Sequence, residues 1–135
     1  MTTSVHKSVV VAGGKASATI TVGINVADET IIIVDAAGTS KTYKSHASNV
    51  VASLYFINTN AIASATGLAA ALVHANGHNG TITVSRDDAV LTLTQTVAGP
   101  EGNKGNAFGS GTGITNTLTA TTFVDFAGGT IAEAN

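Results

Sequence analysis

Alternating apolar and polar residues predict a β-strand near the start of the chain. Over residues 16–24 an apolar side chain occupies every second position, and hydroxyl side chains fill most of the positions between them. A period of two is typical of a strand with one buried face. The predicted buried face consists of Ala18, Ile20, Val22 and Ile24. Asp28 and Glu29 then indicate a turn, because acidic side chains readily bond their own backbone there.

The next stretch predicts a hairpin. Thr30–Val34 is a continuous β-branched run, which is typical of a central strand covered on both faces. Residues 35–39 contain Asp and Gly and predict a turn. In residues 40–44 Tyr43 alternates with Thr42 and Lys44, so this segment is expected to pair with the central strand.

A second hairpin is predicted further along the chain. Residues 80–86 and 89–93 both alternate, and the adjacent Asp87 and Asp88 between them favour a tight turn. The two strands therefore pair with their apolar residues on one face. The inward residues are Ile82 and Val84 on the first strand and Ala89, Leu91 and Leu93 on the second.

An Ala-rich segment between the hairpins predicts a helix over residues 65–76. Ser64 or Thr66 can cap its start, Leu68 and Leu72 have the spacing of one helical face, and Gly77 is placed to end it. Residues 46–63 have no clear period. Within them, residues 53–57 fit a short strand, and residues 50–55 fit a helical turn equally well.

The last third of the chain combines a loop, a strand and a tail. Residues 98–113 are rich in glycine and contain the single proline, Pro100, so they predict a long loop with neither helix nor ladder. Residues 114–126 predict a closing strand that is interrupted near Ala120. Residues 127–135 show no apolar pattern.

These elements together predict an α+β fold in which a β-rich antiparallel sheet or sandwich packs against one Ala-rich helix. A pure β-sandwich is the alternative. The chain has 135 residues, enough for one domain with a sizeable core. We expect an N-terminal arm at residues 1–15, a single β-rich domain at residues 16–126 and a C-terminal tail at residues 127–135.

Composition narrows the classes of function. Charged residues make up 10% of the chain, against about 25% in typical globular proteins, and 21 threonines supply much of the polar surface. The six basic residues are scattered along the sequence, so they form no basic stripe that could neutralise a row of nucleic-acid phosphates. No segment approaches the ~20 apolar residues of a membrane span, and the chain has no cysteine. A surface this low in charge is expected to be covered in use.

The candidate catalytic and metal-binding residues have simpler structural interpretations. His74 and His78 have the spacing of two zinc ligands on a helix, but Gly77 lies between them, so we expect solvated residues near a helix end. The pairs Asp28-Glu29 and Asp87-Asp88 fall where turns are predicted.

The glycine run at residues 105–113 lacks the Lys-Ser/Thr ending and the helix of a phosphate loop, and Ser110 lacks the glycine spacing of a hydrolase elbow. We therefore expect no enzyme activity, no cofactor and no metal site.

Several short motifs follow one another in an order that resembles tailed-phage virion structural modules. The resemblance covers about residues 19–106. It consists of a strand ending at Asp35 with a Gly38-Thr39 turn, an Ala-rich helix, the strand sequence Leu-Thr-Leu-Thr-Gln at residues 91–95, and the loop sequence Gly-Pro-Glu-Gly-Asn at residues 99–103. Residues 126–129, Phe-Ala-Gly-Gly, also resemble the ending of those modules.

The resemblance implies a non-enzymatic virion protein. Because Met1 opens the chain with almost nothing before the module, a capsid decoration or cement protein is the expected type. It would be made in the host cytoplasm and bind the major capsid protein lattice on the outer capsid surface, stabilising the head. We expect a homo-oligomer, with a trimer at local threefold positions as one arrangement. The alternative is a tail tube, tail fibre or adsorption-module protein of the virion.

Two other classes remain as contrasts to a virion protein. A carbohydrate- or host-surface-binding module would need exposed aromatic residues, and the chain has only two Tyr and four Phe. An enzyme would need a pocket in which titratable side chains converge.

Candidate interface residues lie in the N-terminal arm and in the glycine-rich loop. Terminal arms fray unless something holds them, so one or both ends are expected to dock on a neighbouring protein. A bulky apolar side chain on a flexible loop can anchor an interface, which singles out Phe108. The candidate residues are Val5, Val9, Val10, Pro100, Asn103, Lys104 and Phe108.

Overall fold

The computed structural model describes residues 10–11, 13–105 and 111–134. Within these ranges the chain forms strands, one α-helix and two 3₁₀ segments. The strands are β1 (Val10–Val11), β2 (Ser17–Thr21), β3 (Thr30–Val34), β4 (Ser40–His46), β5 (Tyr55–Ile57), β6 (Ile82–Asp87), β7 (Val90–Gln95), β8 (Ile114–Asn116), β9 (Thr122–Ala127) and β10 (Glu133–Ala134). The helix is α1 (Ala61–Leu72), and the 3₁₀ segments are Val51–Ser53 and Pro100–Gly105.

Eight of these strands form two four-stranded sheets. The first sheet has the order β6-β7-β2-β9 and is antiparallel throughout. The second has the order β5-β4-β3-β8 and is antiparallel except where β4 and β5 run parallel. The short strands β1 and β10 pair with each other as a separate ribbon. The predicted α+β fold with a β-rich sheet and one packed helix is confirmed.

The inner faces of both sheets and one side of the helix share a single hydrophobic core. Helix α1 contacts β4 and β5 of the second sheet and β6 and β7 of the first, so it joins the two sheets along one side. The small Ala side chains let the helix approach the sheets closely, and the larger Leu side chains fill the space between the helix and the sheets. The core contributed by the helix consists of Ala65, Leu68, Ala71 and Leu72.

Buried polar side chains also join the two sheets. Gln95 on β7 is fully buried; its Oε1 accepts from Ala36 N–H at 3.0 Å, and its Nε2 donates to Val34 O at 3.3 Å. Asp125 on β9 accepts from Gly113 N–H at 3.2 Å through Oδ2. Asp125 is half-buried, whereas Gln95 is fully buried. Because buried polar groups are costly unless paired, the bonds of Gln95 fix the relative position of the sheets.

Both predicted hairpins are confirmed. Strand β3 pairs with β4 from Thr30 opposite Lys44 to Val34 opposite Ser40, and β6 pairs with β7 from Ile82 to Asp87. The predicted turns contain two of the non-glycine residues with positive φ, Asp28 at 72° and Asp88 at 50°. Asp tolerates this left-handed region better than most residues do.

Two details of the predicted strands are wrong. Strand β2 ends at Thr21, and the Ile24 side chain is 60% exposed, because Gly23 packs against the Ala120 backbone and the next buried position is taken by Asn25. Strand β3 is central, but only Ile31 and Ile33 are fully buried, whereas the opposite face is half-buried. The continuous apolar run therefore overstated how much of the second face is covered.

The helix begins earlier and ends earlier than predicted. Asn60, rather than Ser64 or Thr66, is the N-cap, and its Oδ1 accepts from Ala63 N–H at 2.8 Å. The helix ends at Leu72, five residues before Gly77. Both alternatives predicted within residues 46–63, a helical turn and a short strand, are present. The 3₁₀ segment Val51–Ser53 is followed closely by β5.

The C-terminal third also differs from the prediction in part. The predicted break near Ala120 is confirmed, but the break is a crossing from one sheet to the other, since β8 belongs to the second sheet and β9 to the first. The glycine-rich loop contains the 3₁₀ segment Pro100–Gly105. The tail contains β10, which pairs with β1 of the N-terminal arm.

Candidate functional site

The N-terminal arm, the loop after β7 and the C-terminal tail meet at one place. We call this place the arm junction, and it comprises residues 13–14, 98–103 and 128–132. Gly14 N–H donates to Thr130 Oγ1 at 2.7 Å, and Gly14 O accepts from Gly99 N–H at 2.9 Å and from Thr130 N–H at 3.1 Å. One residue of the arm therefore binds both other segments, and β1 and β10 lie just outside this contact.

Asn103 and a glycine hold the tail against the loop. Asn103 Nδ2 donates to Gly129 O at 2.9 Å, and Gly129 N–H donates to Asn103 Oδ1 at 2.8 Å. A Cβ atom on Gly129 would collide with the carbonyl oxygen of Gly99. The close approach of the two backbones therefore requires glycine at this position.

A cavity of about 260 Å³ lies in the arm junction. Glu101 is the only charged residue among those that line it, and its Oε2 is buried and has no hydrogen-bond partner within the described part of the chain. Gly99 adopts φ 129°, and a Cβ there would collide with this oxygen. The lining residues are Gly13, Ala98, Gly99, Pro100, Glu101, Thr130, Ile131 and Ala132.

The structure places several predicted interface residues in or beside the arm junction. Pro100 lines the cavity, Asn103 holds the tail, and Val10 lies in β1. Lys104 lies in the 3₁₀ segment Pro100–Gly105. Val5, Val9 and Phe108 lie outside the described residues.

Apart from Pro100 and Asn103, the sequence analysis singled out no residue of this site as a candidate interface residue, and the residues that it missed include Gly13, Gly14, Glu101 and Thr130. The paired glycines at 13–14 and 128–129 were the available signal, because adjacent glycines often mark a close backbone approach.

The outer face of the first sheet is a second candidate surface, which we call the hydroxyl face. Its side chains alternate with buried core residues along β2, β6, β7 and β9, and the strand register aligns them in rows across the sheet. Eight of the twelve positions are Thr or Ser, and Asp87 is the single charged residue. The positions are Ser17, Thr19, Thr21, Thr83, Ser85, Asp87, Val90, Thr92, Thr94, Thr122, Val124 and Ala127.

His78 is buried, so the prediction of a solvated histidine is wrong. Its ring is 1% exposed, because the chain after α1 turns back and brings the ring beneath the β3–β4 hairpin. His78 Nδ1 lies 2.6 Å from Tyr43 Oη, and Nε2 lies 3.1 Å from Thr39 O. A carbonyl oxygen can only accept, so Nε2 carries the proton and Nδ1 accepts from the tyrosine.

Both members of this buried pair are neutral near pH 7. Burial lowers the pKa of His78 below its ordinary value. Burial and the nearby Asp35 carboxylate raise the pKa of Tyr43. His74 is separate from this pair, and its Nδ1 accepts from Asn76 N–H at 3.0 Å. The pair joins the segment after α1 to the hairpin of the second sheet.

One member of each acidic pair lies in a turn, Asp28 in the first and Asp88 in the second, whereas Glu29 directly precedes β3 and Asp87 ends β6. Glu29 Oε1 accepts from Val26 N–H at 3.0 Å and from both the backbone N–H and the hydroxyl of Thr119, at 3.2 and 3.0 Å. Partial burial raises the pKa of the Glu29 carboxyl, but these hydrogen bonds together lower it below its ordinary value of 4.5. The hydrogen bonds of Glu29 therefore connect the turn before β3 to the segment between β8 and β9.

Comparison with known proteins gives no relative from which a function could be transferred. No protein-family model, curated protein or solved structure matches the chain. Across residues 10–11, 13–105 and 111–134, no group of three or more His, Cys, Asp or Glu residues is placed to hold a metal ion. No helix in the same ranges is long and apolar enough to cross a membrane. Function is therefore inferred from the surfaces and contacts of this chain.

Proposed function

We propose that this chain is a non-enzymatic virion structural protein that decorates a phage capsid. In this role it binds the lattice of the major capsid protein and stabilises the head. The observation that carries the proposal is the hydroxyl face, a four-stranded surface with eight Thr or Ser side chains and one charged residue. The order of motifs that resembles tailed-phage virion modules supports the same function.

The hydroxyl face has properties suited to a repeated protein contact. Removing a charge from water costs several kcal/mol. A partner that covers this face would remove only one charged side chain from water, that of Asp87 at one corner, so the desolvation cost of binding is small. Hydroxyl groups can pair with a partner's backbone, and threonine has few rotamers to lose because it is β-branched. A modest contact repeated over symmetry-related copies can then give stable binding overall.

The arm junction supports a second point of attachment. The N-terminal and C-terminal segments leave the domain side by side, because β1 pairs with β10 just beyond the contacts of Gly14. Pro100 and Asn103, which the sequence singled out, lie at this same end. A neighbouring subunit that contacts the junction would therefore meet both arms and the loop together.

A charge placed on the hydroxyl face tests the proposal. Thr92 lies near the centre of the face, opposite Thr19 on one neighbouring strand and Ser85 on the other. We expect Thr92→Arg to lower binding to particles that lack the chain at least tenfold, measured by co-sedimentation with purified protein. Val124→Arg should act in the same way, and its side chain is 66% exposed, so the substitution leaves the core intact.

Thr42→Arg is the matched control for these variants. Thr42 is an exposed threonine on β4, on the outer face of the second sheet, and its substitution should leave particle binding unchanged. Circular dichroism and thermal unfolding establish that each variant is folded. Wild-type binding by folded Thr92→Arg and Val124→Arg proteins would remove the main support for the proposal.

A further inference from the structure

Two Asn-Gly pairs, Asn76-Gly77 and Asn79-Gly80, lie in the segment between α1 and β6. Asparagine is chemically labile, and it loses its side-chain amide fastest before glycine, because glycine has no side chain to hinder attack by its own backbone nitrogen. The reaction needs an asparagine side chain that can turn towards the next peptide and a backbone N–H that is not held in a hydrogen bond. The two pairs differ in both respects.

The first pair is held in place. Asn76 Nδ2 donates to Ala52 O at 2.8 Å, and Gly77 N–H donates to His74 O at 2.9 Å. Gly77 also packs against the end of α1, because a Cβ atom there would collide with the carbonyl oxygen of Ala71. The nitrogen that would attack and the side-chain amide that would be attacked are therefore both engaged.

The second pair lies in an open turn. His78 O accepts from Thr81 N–H at 3.1 Å across this turn, and Asn79 and Gly80 are its two central residues, both exposed. Gly80 has φ 83°, and a Cβ atom there would have no neighbour within 4 Å. Gly80 O accepts from Thr96 Oγ1 at 2.9 Å. Within the described part of the chain, neither the Asn79 side chain nor Gly80 N–H forms a hydrogen bond, so both reacting groups are free.

We infer that Asn79 is a site of spontaneous deamidation in the folded protein and that Asn76 is protected from it. The Gly80 backbone nitrogen loses its proton and bonds to Asn79 Cγ. The bond between Cγ and Nδ2 breaks, so Nδ2 leaves as ammonia and a cyclic succinimide forms. Solvent water then opens the ring at either carbonyl carbon and gives aspartate or isoaspartate. This site does not depend on the function proposed above.

Isoaspartate at this position changes the start of β6. It carries the backbone through the former side chain, so it inserts one extra methylene group between His78 and Gly80. His78 O accepts from Ile82 N–H as well as from Thr81 N–H, both at 3.1 Å, and both bonds span the altered residue. The His78 ring is held in the core by Tyr43. The backbone change is therefore expected to weaken the bonds of Thr81 and Ile82.

Peptide mass spectrometry of protein incubated at pH 7.5 tests the inference. The readout is the mass change of an amide that becomes a carboxylic acid, assigned by fragment ions to residue 76 or residue 79. In the folded protein we expect conversion of Asn79 to be at least tenfold faster than conversion of Asn76. In protein unfolded in urea the two rates should be similar, because Asn76 then has no protecting contacts. Asn79→Gln should abolish the fast conversion, because glutamine would have to form a larger ring.

Equal rates at the two asparagines of the folded protein would overturn the inference, as would fast conversion in the Asn79→Gln protein. A difference that persists in the unfolded protein would refute protection of Asn76 by the fold.

Hydrogen exchange tests the effect on β6. In the purified isoaspartate form, the amides of Thr81 and Ile82 should exchange at least tenfold faster than in Asn79→Asp protein, which carries the same charge on an ordinary backbone. Equal exchange in the two proteins would contradict the expected weakening of these bonds.

Discussion

Removing one hydroxyl group from the core should measurably destabilise the domain. In Tyr43→Phe the ring remains, but His78 Nδ1, 2.6 Å from the lost oxygen, becomes a buried acceptor without its donor. Leaving a buried polar group unsatisfied costs about 1–3 kcal/mol. Tyr43 is fully buried and His78 is 1% exposed, so water has little access to replace the bond. We therefore expect a loss of about 2 kcal/mol in the free energy of unfolding.

Urea denaturation followed by circular dichroism at pH 7.5 measures this loss. With a urea dependence of about 1–3 kcal/mol per molar for small proteins, the midpoint should fall by on the order of 1 M. Tyr55→Phe is the matched control, because Tyr55 lies half-exposed against His46 on the outer face of the second sheet, and its change should stay within about 0.5 kcal/mol. Equal stability of the Tyr43→Phe and wild-type proteins would refute the reasoning.

Two further predictions concern pH and the arms. The folded chain keeps His78 neutral, so below the ordinary pKa of 6.5 the unfolded chain binds a proton that the folded chain does not. The free energy of unfolding, measured with urea, should therefore fall from pH 6.5 to 5. A free energy of unfolding that does not change in this range would contradict a neutral His78 in the folded chain. The loss from Glu29 should appear separately, below pH 4.5. Asn103→Ala removes the oxygen that accepts from the Gly129 amide, so hydrogen exchange of that amide should become at least tenfold faster. The control is Asn79→Ala, in an exposed turn, which should leave this exchange rate unchanged. An unchanged exchange rate in the Asn103→Ala protein would contradict the Asn103 contact.

The sequence predicted the elements whose signals are local. The β6–β7 hairpin follows from residues within it, since alternation specifies both strands, but the turn lies one residue later than predicted, at Asp88 and Ala89, so that Asp87 pairs with Val90. The helix was also predicted, but its start depends on which polar residue caps the first turn. Asn60 is the N-cap, because it accepts a hydrogen bond from Ala63 N–H. Asn60, Ser64 and Thr66 are all residue types that are favoured at an N-cap, so the residue type alone does not show which of them begins the helix.

The missed features depend on contacts between distant parts of the chain. His78 is buried because Tyr43 and Thr39, more than thirty residues earlier, supply its hydrogen-bond partners. The arm junction is formed by contacts between Gly14 and Thr130, which lie 116 positions apart. The sequence indicated Pro100 and Asn103 as notable loop residues, but the cavity beside them appears only when three separate segments meet.

The copy number of this chain in purified particles tests the proposed function most directly. Particles from the culture that expresses the chain would be analysed by quantitative mass spectrometry against the major capsid protein. A decoration protein should be present at a ratio near one, or at a simple fraction of one such as a third. A few copies per particle would contradict lattice decoration and favour a tail fibre or tail tip, and absence from the particle would contradict a virion role altogether.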